Sequence, residues 1–231
     1  MAEYFQRTEE IMKRSVKKLF ALSGALLTLF VLWTAAVCFI DVQPIGPDGS
    51  SVGLAALNAA FQKTLGVNMT LYEITDWLGI VPLCFVCGFA LLGLVQLIKR
   101  KSFRRVDPDI LVLGAFYTAV FAAYIAFEAF SPNFRPVLIE GRLEASYPSS
   151  TTLLVMCVIP TAMMQLKRRI KRPWIRTAVL CTLGAFCVFM PTARLISGVH
   201  RFSDIVGALL LSAGLVTLYA AAAGCFQKRS K

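Results

Sequence analysis

Arg194, His200, Arg201 and Asp204 fall within eleven residues, and His200 is the only histidine in a chain of 231 residues. An imidazole, a carboxylate and two guanidiniums thus meet in one short stretch between two long apolar runs. His200 and Asp204 are four apart, so a helix entered at this point would carry both on one face. A carboxylate that holds one ring nitrogen leaves the other free to attack an electrophile. The same residues also read as a charged cap on a membrane helix, and the other polar loops must decide.

Two of those loops matter. Residues 131–151 carry Arg135-Pro136, Arg142 and the run Pro148-Ser149-Ser150-Thr151, and Glu128 stands just before them. The planar fork of arginine grips phosphate oxygens in pairs, which lysine cannot do. Arginines beside a lone histidine at a membrane surface therefore point to a phosphorylated lipid headgroup. Anchoring to headgroups without chemistry is the competing reading.

The elements that would position these residues are membrane spans. Mean hydropathy is +0.68, with 57% hydrophobic and 16% charged residues, a balance foreign to soluble domains of this length. A net charge of +11 could suggest nucleic acid, but the basic residues sit in short clusters between apolar runs. The seven cysteines lie within or at the ends of those runs. Cys84 and Cys87 form a CxxC with no histidine or third cysteine beside it, so they read as lipid-compatible packing residues.

Six spans are expected, at about 19–40, 77–98, 110–130, 151–166, 174–190 and 203–225, the first long enough to cross about 30 Å of hydrocarbon and the fourth short unless Tyr147–Ser150 are partly embedded. Residues 1–18 should form an amphipathic interfacial helix, with Phe5, Met12, Val16 and Leu19 on its apolar side. Residues 41–77 form a polar excursion with a short surface helix at about 53–65 and a helix capped by Thr75. That excursion either walls a site or is a solvated loop. Pro191 should stop the fifth span. Lys and Arg divide 19 to 5 between the two sides, which places both termini in the cytoplasm. Lys63, Arg135, Arg142, Arg194 and Arg201 are the five outward ones, the four arginines in the loops after spans three and five. Short loops and the lack of a targeting extension suggest a bacterial plasma membrane. No span carries a charge near its middle, which disfavours a transporter, and a scaffold acting through the basic loops has only weak support.

These loops resemble the motifs of the type-2 phosphatidic acid phosphatases, or lipid phosphate phosphatases. The family's third motif, Ser-Arg, five residues, His, three residues, Asp, appears as Ala193-Arg194, five residues, His200, three residues, Asp204. Its first, Lys, six residues, Arg-Pro, appears as Arg135-Pro136 with Glu128 in the lysine position. Its second, Pro-Ser-Gly-His, reads Pro148-Ser149-Ser150-Thr151. Order, spacing and topology agree from about 110 to 225. The resemblance implies an all-α, polytopic membrane protein, one six-span phosphatase-like bundle over 1–231. It implies His200 as nucleophile, Asp204 fixing its tautomer, and Arg135 and Arg194 clamping the phosphoryl oxygens, with Arg142 or Arg201 as a replacement cation. Ser149, Ser150 and Thr151 would add donors at a helix start. No metal and no cofactor are required. Partners would be a lipid phosphate or diphosphate and the bilayer, with no nucleic acid.

The departures shape the expected substrate. Thr151 cannot protonate a leaving oxygen as the family's histidine does, a loss typically of about 10²–10⁴ in rate for a monoester. A diphosphate releases a phosphate, with second pKa about 6, and needs no such help. A polyprenyl diphosphate is therefore the expected substrate class. Glu128 could pair with Arg135, or it or Glu144 could be protonated and supply the proton. A phosphate-binding protein without turnover and a lipid phosphotransferase are the alternatives.

Overall fold

The computed structural model of the chain describes the backbone of residues 2–227 and the side chains of residues 13–225. Lys228, Arg229 and Lys231 lie outside the described residues, as do the side chains of Phe5, Arg7 and Met12. Helix α1, Ala2–Phe39, unites the basic N-terminal segment and the first span in one continuous rod. Two short helices follow, α2 at Ala55–Leu65 and α3 at Met69–Leu78. The remaining spans are α4 Ile80–Arg100, α5 Pro108–Phe130, α6 Ser150–Arg169, α7 Pro173–Ile196 and α8 Phe202–Gln227. The described residues form no strand, only isolated bridges such as Gln43 with Val52 and Phe134 with Ala145.

Six helical segments are long and apolar enough to cross a membrane. The protein is thus an all-helical, multi-span membrane protein. Half of the apolar window of α6 and 44% of that of α8 are buried, against 11–28% in the other four, so α6 and α8 form the centre. Small residues on α8 let its neighbours approach closely, as membrane helices require. A Cβ on Gly214 would lie 2.7 Å from Leu27 of α1, and one on Gly207 would lie 2.6 Å from the Tyr147 ring. The α1–α8 seam also carries two polar ties, Ser23 Oγ to the Gly214 carbonyl at 2.9 Å and Trp33 Nε1 to the Ser203 carbonyl at 3.1 Å. Gln165 of α6 donates to the Tyr219 hydroxyl of α8 at 2.7 Å, a polar tie inside the bundle.

Three expectations need correction. The fifth span does not stop at Pro191; α7 continues to Ile196 and carries Arg194 in its last turn. A membrane helix can tolerate the single bond a proline forfeits, here the one to the Cys187 carbonyl, and the next turn is braced by Thr192 Oγ1 donating to the Val188 carbonyl at 2.8 Å. Arg194 is thereby a helical residue, not a loop one. Thr75 does not cap a helix at Asp76, because it lies inside α3, whose cap is Asn68 accepting from the Leu71 amide at 2.9 Å. The fourth span is longer than expected, since Ser150 and the 167–169 basic turn are helical. The short helix in the excursion forms as expected, at Ala55–Leu65.

The excursion is no solvated loop. Gly53 donates to Asn133 Oδ1 at 2.9 Å, and the Asn68 amide to the Ser197 carbonyl at 2.9 Å. It lies against the loops after α5 and α7, at one end of the bundle. At the other end, Arg100 pairs with Asp107 at 2.7 Å and Arg169 with Asp109 at 3.4 Å.

Candidate active site

His200 stands in the loop Ser197–Arg201, between α7 and α8. That loop is pinned by close backbone approach. Gly198 has φ +67°, and a Cβ there would sit 1.7 Å from the Gly66 carbonyl oxygen, so only glycine fits. Ser197 Oγ closes the end of α7 on the Arg194 carbonyl at 2.7 Å. His200 is only 2% exposed. Its Nε2 lies 3.3 Å from a terminal nitrogen of Arg135. A guanidinium only donates, so Nε2 presents its lone pair and the proton belongs on Nδ1. Nδ1 faces the Asp204 carboxylate at 3.8 Å, a charge contact longer than a hydrogen bond. Burial, opposed by Asp204 and reinforced by the Arg135 and Arg194 charges, holds the imidazole pKa down at about 4. The ring is therefore a neutral base at physiological pH.

Asp204 does not share a helical face with His200, since α8 begins two residues after the histidine. It is the third residue of α8 and reaches back to the Arg201 amide at 2.9 Å, the acidic half of a capping box. Its other oxygen accepts from Ser203 Oγ at 3.3 Å. Ser203 in turn accepts from Asn58 at 3.0 Å and Asn133 at 3.2 Å, and its amide donates to Asn58 Oδ1 at 3.1 Å. These four side chains are fully buried. A satisfied polar cluster of this kind fixes its members rigidly. Asp204 is thus locked from the α8 cap, from α2 and from the loop after α5.

Arg194 and Arg135 flank the imidazole from different elements. Both guanidiniums lie over the ring of Tyr72 on α3, at 4.8 Å and 5.4 Å from its centroid. One cation–π platform thus sets two arginines side by side. Arg194 donates to Thr151 Oγ1 at 2.7 Å, to Thr75 Oγ1 at 3.3 Å, to the Tyr72 carbonyl at 3.4 Å and to Asp76 at 3.4 Å. Arg135 Nε is 2.9 Å from the Glu144 carboxylate, off the direction of its N–H. The Nε groups of both arginines are buried without a hydrogen bond. Buried donors left unpaired are costly, and phosphoryl oxygens between them would satisfy both.

The second-motif residues start α6. Ser149 is its N-cap but offers its hydroxyl to Thr152, at 3.0 Å, instead of to a backbone amide. The first amides of α6 therefore keep no side-chain cap. Ser149 is tied to the third motif through its amide and the Asp204 carbonyl, at 3.2 Å. Thr151 stands on Arg194. The other anticipated residues make no side-chain bond to His200, Arg135 or Arg194, although Glu128 lines a small cavity with Pro148 and Ser150. Arg201 is buried and donates to the Phe134 carbonyl at 2.9 Å. Arg142 is exposed in the turn bridged to Ile139. Glu128 is exposed near the end of α5, and the carboxylate beside Arg135 is Glu144 instead.

Sequence reading singled out none of Tyr72, Asp76, Asn58, Asn133 or Ser203 for the site. Tyr72 and Asp76 reach Arg194 across about 120 residues, and no local spacing encodes such a pairing. Beside Thr151 and Asp76 opens an apolar groove of about 470 Å³ between α4, α5 and α6, lined by Gly79, Leu83, Val120, Phe121 and Leu154 among others.

The family model described as the PAP2 superfamily matches residues 80–224, which spans α4 to the end of α8 and contains all three motifs. No protein of curated function matches the chain. Among solved structures, the fold is shared with the first transmembrane PAP2 type phosphatidylglycerolphosphate phosphatase from Bacillus subtilis. That match has a TM-score of 0.61 at 18% identity and covers 90% of this chain and 97% of that one.

Proposed function

The chain belongs to the PAP2 superfamily, and on that premise we propose that it dephosphorylates a lipid diphosphate through a phosphorylated His200. The observation that carries this reading is the convergence on one neutral imidazole of two arginines whose buried Nε donors make no hydrogen bond, that of Arg135 having only the ion-pair contact with Glu144. In the first step the Nε2 lone pair attacks phosphorus, and the bond to the leaving oxygen breaks with its electron pair. Arg135 leaves Nε2 for the phosphoryl oxygens. Arg194 and the first amides of α6 stabilise the charge that builds on them. Asp204 holds the ring and balances the imidazolium character that develops. Water then releases inorganic phosphate.

The diphosphate preference rests on Thr151. Its hydroxyl is bonded to Arg194 and fixes the guanidinium, but it is too weak an acid to protonate an alkoxide. A lipid monophosphate leaves unaided. The groove of about 470 Å³ next to Thr151 suits the hydrocarbon chain of that leaving group. The charge division between the two ends of the bundle supports an outward-facing site with both termini in the cytoplasm of a plasma membrane.

The test is phosphate release by purified protein in detergent with a chelator present, comparing a polyprenyl diphosphate with phosphatidic acid, for wild type and His200→Ala. Release from the diphosphate exceeding that from the monoester by about 10²-fold or more, and lost in the variant, is expected. Comparable release from both substrates would remove the diphosphate preference. Binding of lipid phosphate without release from either would leave a binding protein and overturn the catalytic reading.

A further inference from the structure

Asp76 lies upstream of the segment that the family model matches, and it nevertheless touches the site. One terminal nitrogen of Arg194 donates both to Thr151 Oγ1, at 2.7 Å, and to Asp76 Oδ1, at 3.4 Å. The carboxylate therefore stands next to the position where the second motif has lost its acid–base group. Its surroundings differ from those of the other acids of the site. The Asp204 side chain is 0% exposed and committed to the α8 cap, while Glu144, though 40% exposed, is held at 2.9 Å from Arg135. The Asp76 side chain is 58% exposed, so water reaches it.

The groove gives this position a direction. Asp76, Ser150 and Thr151 line the same end of the apolar cavity between α4, α5 and α6. A lipid leaving group whose chain lies there places its departing oxygen at that mouth. Displacement at phosphorus is in line, so the water that later attacks phosphohistidine enters where the leaving oxygen departed. It arrives beside Asp76.

Resting on the phosphohistidine reading above, we infer that Asp76 is the general base of the second half-reaction. The water oxygen bonds to phosphorus as the phosphorus–Nε2 bond breaks, and that electron pair returns to Nε2. The proton of the water passes to the Asp76 carboxylate and then leaves with the phosphate to solvent. A carboxylate in its ionised form suits this role and not the first step, where an acid would be needed. The acid–base duty of the missing histidine is thus halved. The substrate's chemistry removes the need for the acid, and Asp76 supplies the base.

Rapid-quench kinetics on full-length protein in detergent separate the steps. Polyprenyl diphosphate radiolabelled on its terminal phosphate is mixed with enzyme and stopped in alkali, which preserves phosphohistidine. Asp76→Asn should form phosphoenzyme within about 3-fold of the wild-type rate but lose about 10²–10⁴-fold in its decay. Label would then accumulate to near one per chain, and added formate should speed the decay in Asp76→Ala. A phosphoenzyme that decays at the wild-type rate in Asp76→Asn overturns the inference. So does equal slowing of formation and decay, the signature of a residue that only positions Arg194; both results leave phosphohistidine itself intact. Turnover with no phosphohistidine in wild type, and unchanged in His200→Ala, overturns the nucleophile and the base together.

Discussion

His200 Nε2 faces Arg135 and its Nδ1 faces Asp204, so the tautomer is set by what each neighbour offers and not by one strong bond. Because this is the only histidine, its ring nitrogens give a single pair of signals in isotope-labelled protein made without a histidine tag. Those signals should report a neutral ring protonated on Nδ1, with no titration from pH 8 to 5 and protonation only near pH 4. A midpoint near 6.5 would contradict the burial described here. The same shift has a sign for stability. The folded pKa lies below that of the unfolded chain, so on lowering pH the unfolded state takes up the proton first. The contribution is complete above about pH 6.5 and is lost as pH falls toward 4. Arg194 makes a second residue-level test, since four partners read its planar fork. Arg194→Lys keeps the charge but not that geometry, and kcat/KM should fall by about 10²–10³, as for a lost transition-state donor. A loss of less than 10-fold would make charge alone sufficient. Arg194, His200 and Asp204 were legible because their spacing is local. Tyr72 and Asp76 were not, because nothing near them in sequence differs from an ordinary amphipathic helix.

The elements were legible wherever apolar length decided them. All six spans lie where hydropathy put them, because a bilayer demands helices of that length. Boundaries failed where side-chain chemistry overrode a local rule, as with Pro191 continuing α7 and Asn68 displacing Thr75 as a cap. The role of the excursion was undecidable from sequence for a different reason. Its place against the bundle depends on Asn58 meeting Ser203 across 145 residues and on Gly66 meeting Gly198. α2 therefore acts as a clamp on the start of α8, and α3 as the wall that holds both arginines. Asn58→Ala strands the Ser203 amide in the interior, takes one of two donors from its hydroxyl, and should destabilise the protein by about 1–3 kcal/mol. Thermal unfolding in detergent measures this, and activity should fall with it because Asp204 loses its anchor. An unchanged melting temperature would show that α2 is only a cover.

At the scale of the whole molecule, the described basic clusters around Arg100 and Arg169 lie at the end of the bundle opposite His200, and from them the positive-inside rule predicts an outward-facing site. A membrane-impermeant thiol reagent should label Lys63→Cys in intact cells and Arg104→Cys only after permeabilisation; the reverse pattern would place the site inside. The seam between α1 and α8, with its Ser23 and Trp33 ties, also has a consequence in time. The earliest of the six spans to leave the ribosome finds its main partner in the last. Until α8 is made, α1 has lipid where its seam should be, and α2 holds an amide with nothing to grip. Asp204, which faces His200, arrives with that same helix. On the proposed reading, His200 would be held for attack only once the sixth span has closed against the first.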